Sequence, residues 1–79
     1  MPTKLEKIQW QLVNSHPHLA LLILSPSEAT RDFINRQESD ADAMSLFLHE
    51  IAHSALFSQA WEGRITEVRE MVVETLINN

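Results

Sequence analysis

Five consecutive residues, His49-Glu50-Ile51-Ala52-His53, carry the most specific chemistry that can be read from this chain. On a helix, two imidazoles four residues apart lie on one side and can share a zinc ion. A glutamate directly after the first histidine can then act as general base toward a metal-bound water. Zinc is thus the one cofactor the sequence suggests, with His49 and His53 as ligands and Glu50 as the catalytic group.

The uncharged flanks Leu46-Phe47-Leu48 and Ser54-Ala55 strengthen a local resemblance to the zinc-binding helix of zinc-dependent peptidases. That resemblance implies a third protein ligand. In the thermolysin-like branch it is a glutamate on a following helix, here Glu70 or Glu74. His53 lies ten residues before Gly63 and Glu74 eleven after it. In an antiparallel hairpin the two would stand at similar heights, about 15 Å from the turn. The branch with a third histidine is excluded, because no glycine and histidine follow His53 at its spacing. A peptidase also needs an edge strand and a cleft for extended substrate, and at most one short strand can be argued here. The competing reading takes His49 and His53 as ordinary helix residues that share hydrogen bonds with Glu50 or a packed partner, and it is preferred. At an interface such a pair would also sense acidification, which charges imidazole.

The elements that must hold these residues are helical. Hydrophobic residues make up 44% of the 79 positions and glycine occurs once. That is too apolar for disorder and too poor in turn residues for an all-β fold. The sequence predicts a single all-α domain over 1–79, a bundle of four to five helices with a long central helix (about 40–61) and a C-terminal helical hairpin.

Thr3 and Glu6 form a capping box for a first helix with Leu5, Ile8, Leu12 and Val13 on one face. It should stop between Asn14 and His16. Pro17 suits the first turn of a short second helix reaching Leu24, capped by Ser15 or His16, although the run Leu19–Leu24 also fits a buried strand. Ser25-Pro26-Ser27-Glu28 predicts a third helix with Ser25 as cap and Pro26 at its first position, ending near Gln37. Its few apolar residues make it the least buried element.

Ser39-Asp40-Ala41-Asp42 sets two carboxylates against the positive end of the central helix, which explains most of the acidic cluster with Glu38. Met44, Leu48, Ile51 and Ala55, widened by Phe47 and Ala52, form one apolar stripe. Leu46, His53, Phe57 and Ala60 form a second, nearly opposite. Both need cover. Gly63 suits the reversal into a last helix, Arg64 to about Ile77, whose Ile65, Val68, Val72 and Leu76 should pack on the first stripe. The second stripe is left for a partner, with Trp10 and Trp61 as candidate aromatic anchors.

Composition narrows the remaining classes. A net charge of −5 argues against nucleic acid and anionic membranes as direct partners. No apolar run is long enough to cross a bilayer or placed to act as a secretory signal, so cytoplasmic residence is the default. Without cysteine there is neither disulfide nor thiolate site. The His-Pro-His at 16–18 reads as cap and turn rather than as a metal clip. No Ser/His/Asp set, phosphate loop or catalytic carboxylate pair can be assembled.

The function expected is therefore that of a small acidic, non-catalytic protein–protein interaction module with no cofactor. It would be a regulator, inhibitor or adaptor of the kind that phages and plasmids also encode, acting as a homodimer or on a host protein. Leu46, His53, Phe57, Ala60, Trp61 and Trp10 are its candidate contact residues. The alternative is a zinc-dependent hydrolase or zinc-binding protein using His49, Glu50 and His53 with Glu70 or Glu74.

Overall fold

Three helices of the chain start where a short polar side chain, Thr3, Ser27 or Ser39, takes up a backbone N–H that no helical carbonyl reaches. The computed structural model describes residues 1–57 and 64–78, which form five helices and no strand among the described residues. Helix α1 is Lys4–Ser15 and begins at Thr3, whose Oγ1 accepts the Glu6 N–H at 3.2 Å. It buries Leu5, Ile8, Gln9 and Leu12. The His16 N–H closes its end on the Leu12 carbonyl at 2.8 Å. Pro17 then opens a 3-10 turn, Pro17–Leu19, that runs into the single helical turn α2, Ala20–Ile23.

The Leu19–Leu24 run is therefore helical and not a strand. Leu19, Leu22 and Ile23 are buried while Leu21 and Leu24 face out, a one-sided burial that an unbroken apolar run cannot reveal. Gln9 reaches across from α1, its Nε2 donating to the buried Ile23 carbonyl at 3.0 Å. This satisfies an acceptor that would otherwise be costly to bury.

Helix α3 is Glu28–Asn35, and its cap differs from the sequence expectation. Ser27, not Ser25, accepts the Thr30 N–H, at 3.2 Å. Ser25 instead donates its hydroxyl to the Leu21 carbonyl, finishing α2, and Pro26 lies in the connection rather than at the first helical position. Two serines competed for one role. Proline holds the residue before it extended, and the second serine, followed by Glu28, places a carboxylate in the first turn. α3 ends two residues before Gln37, whose N–H still reaches the Ile34 carbonyl at 3.2 Å. Ile34 alone of its side chains is buried.

Helix α4, Asp40–Phe57, starts at Ser39, whose Oγ accepts the Asp42 N–H at 3.0 Å, with Asp40 and Asp42 in the first turn as expected. Ala43, Met44, Phe47, Leu48, Ile51 and Ala55 are buried along it. The predicted continuation to Trp61, and the turn at Gly63, lie outside the described residues. Helix α5, Ile65–Asn78, packs on α4 more extensively than any other pair of elements pack.

The inward face of α5 is Val68, Met71 and Thr75, with Ile65 and Val72 partly covered, and Leu76 is 53% exposed. The predicted stripe through Leu76 is thus corrected. Once Met71 points inward, Leu76 lies about 140° further round the helix and Thr75 only about 40°. One hydrophobic cluster joins side chains from all five helices, so the described residues share a single core.

Candidate functional site

The pentapeptide 49–53 is split by the helix that carries it. Ile51 is 3% exposed and belongs to the core, Glu50 and Ala52 are half-buried, and His49 and His53 are exposed. The two imidazole centroids stand 6.4 Å apart with a tilt of 37°. His53 also lies against Phe57, its ring centroid at 4.6 Å. Phe57, at 76% exposure, and Leu56, at 65%, complete an apolar outer end of α4. Beside them a groove of about 520 Å3 runs between α4 and the α2–α3 connection, lined by Leu22, Pro26, Thr30, Glu50, His53 and Phe57.

The third ligand expected for zinc is not brought to this pair. Glu74 Oε2 sits 3.0 Å from His16 Nε2 instead, and Glu70 is exposed on α5. Among the described residues no group of three His, Cys, Asp or Glu side chains lies close enough to hold a metal ion. The height argument for the hairpin ignored azimuth. The stripe Met44, Leu48, Ile51, Ala55 faces the core, so His49 and His53 point about 130° and about 170° away from it, to solvent.

The other predicted contact residues are scattered. Leu46 is partly buried and packs against the core, so the second stripe is not uniformly open. Trp10 is 75% exposed, on α1. Ala60 and Trp61 lie outside the described residues.

A polar cluster that the spacing did not announce joins the 3-10 turn to α5. Besides the His16–Glu74 pair, His18 Nε2 lies 3.9 Å and Arg64 Nε 3.7 Å from Glu67 Oε2. Arg64 Nη1 also donates to the His18 carbonyl at 2.8 Å. Glu67 and Glu74 are two helical turns apart and share one face of α5, which is the signal in the sequence that two nearby histidines could have matched. His16 therefore ties the turn to α5 through its bond to Glu74, while His18, its ring 5.9 Å from that of His16, lies near Glu67 without a hydrogen bond to it.

Comparison with known protein families, curated proteins and solved structures finds no match for this chain. Among the described residues no helix is long and apolar enough to cross a membrane. The site is accordingly read from its own geometry.

Proposed function

We propose that the chain is a non-catalytic protein–protein interaction module, a cytoplasmic regulator or adaptor that works through the outer face of α4. The observation that carries this reading is the exposure of Phe57 at the edge of a groove of about 520 Å3, with Leu56 also exposed on the same end of α4. Scattered single apolar residues are normal on a surface, but an exposed aromatic side chain at the lip of a groove of mixed polar and apolar lining has the form of an interface anchor. α4 carries Asp40, Asp42 and Glu50 and no lysine or arginine, which turns nucleic acid away from the same face.

The test is self-association and partner capture by wild type, Phe57→Asp and Glu50→Gln. The interaction reading expects Phe57→Asp to weaken association by at least tenfold, about 1.4 kcal/mol or more, and Glu50→Gln to leave it intact. Association untouched by Phe57→Asp, together with a hydrolytic activity abolished by Glu50→Gln, would reverse the assignment.

A further inference from the structure

The outer face of α4 has a property that exposure alone does not describe: it reads the same in both directions. Leu46, His49, His53 and Leu56 follow one another at intervals of three, four and three residues, the seam spacing of paired helices. Both the intervals and the residue types are palindromic. A two-fold axis across α4 midway between His49 and His53 would set His49 beside the partner's His53 and Leu46 beside the partner's Leu56. An isologous contact between identical subunits demands this self-complementarity, and few surfaces satisfy it.

The chemistry of the pair is incomplete in one chain and complete in two. His49 and His53 are exposed on the same side of α4 and, among the described residues, have no carboxylate partner, in contrast to His16 and His18. Zinc in a closed site takes four nitrogen or sulfur ligands in tetrahedral array. Two imidazoles from each of two copies supply that number. With Zn–N distances near 2.1 Å, rings on one tetrahedral ion have centroids about 5 Å apart. Sharing an ion requires the rings to approach from the 6.4 Å found here.

We infer that α4 pairs antiparallel with α4 of a second copy and that His49 and His53 of both copies hold one zinc ion on the two-fold axis. This rests on the interaction reading above and names its partner as the chain itself. The ion is structural, since all four positions are filled by protein and none is left for water or substrate. The exposed Leu56 and the uncovered edge of the partly buried Leu46 flank it on both sides.

The experiment is zinc titration of untagged, chelator-treated protein, followed by sedimentation velocity and native mass spectrometry. The expected product is a dimer carrying one zinc, reversed by chelator. His49→Ala and His53→Ala should each weaken zinc binding by more than about a hundredfold and abolish the zinc-dependent dimer, while circular dichroism confirms that these exposed substitutions leave the helices formed. Glu50→Gln should retain one zinc per dimer. Cobalt in place of zinc should give the strong visible absorption of a tetrahedral site. A chain that stays monomeric in zinc, or that binds one zinc per monomer, overturns the inference. A dimer indifferent to chelator and to both histidine substitutions, yet lost in Phe57→Asp, also overturns it while leaving the interaction reading standing.

Discussion

Two histidine pairs stand in this small protein under opposite conditions. His16 and His18 flank a proline at a helix junction, a place where histidines usually do little, yet His16 is bonded to Glu74 of α5 and His18 lies near Glu67. His49 and His53 occupy the spacing most associated with metal chemistry, and among the described residues no third ligand joins them. The difference lies in azimuth. A residue's partners are set by which side of its helix faces the next element, and spacing along the chain fixes only half of that.

The sharpest way to separate fold from site within the pentapeptide is to remove its middle. Ile51→Ala deletes a side chain that is 3% exposed, and we expect a loss of about 2–5 kcal/mol in urea denaturation. A loss under about 1 kcal/mol would mean that Ile51 does not pack as described. Next in size is His16→Ala, which removes a side chain 12% exposed and its 3.0 Å bond to Glu74. Because Glu74 is 61% exposed and returns to water, the cost should be about 1 kcal/mol, with Glu74→Gln costing less. The smallest effect belongs to the pair that looks most chemical. His49→Ala and His53→Ala should each change the stability of the metal-free protein by no more than about 0.5 kcal/mol. If those variants prove as costly as His16→Ala, the contrast between the pairs collapses.

Much of this architecture is written in local signals. The starts of α1 and α4 follow from Thr3 and Ser39, whose side chains can reach N–H groups three residues on whatever the rest of the chain does. The core stripe of α4 follows from period alone. What the sequence conceals depends on choices between near-equal local solutions or on rotation of one helix against another. Ser25 and Ser27 were both competent caps for α3, and the connection from α2 decided between them. On α5, Met71 rather than Val72 turned fully inward, and that rotation carried Leu76 to the surface and Thr75 to the core. The same geometry placed Glu74 on His16, although its height along the hairpin matched His53 equally well. The spacing of 49–53 told that His49 and His53 would stand side by side on α4, 6.4 Å apart between ring centroids, and gave no information about where a third or fourth group would come from.

One bond of the scaffold bears on how the chain is made. The Leu5 N–H, one of the first in α1, is taken up by the side-chain Oδ1 of Asn35 at 2.9 Å, thirty residues further on. Helix starts are usually finished by neighbours in sequence, as Thr3 does for Glu6. Here the first turn of the first helix has an open donor until the last residue of α3 has been synthesised, and the buried amide of Gln9 waits likewise for Ile23. On a chain emerging from its N-terminus, α1 therefore gains its long-range hydrogen bonds only as α2 and α3 follow it.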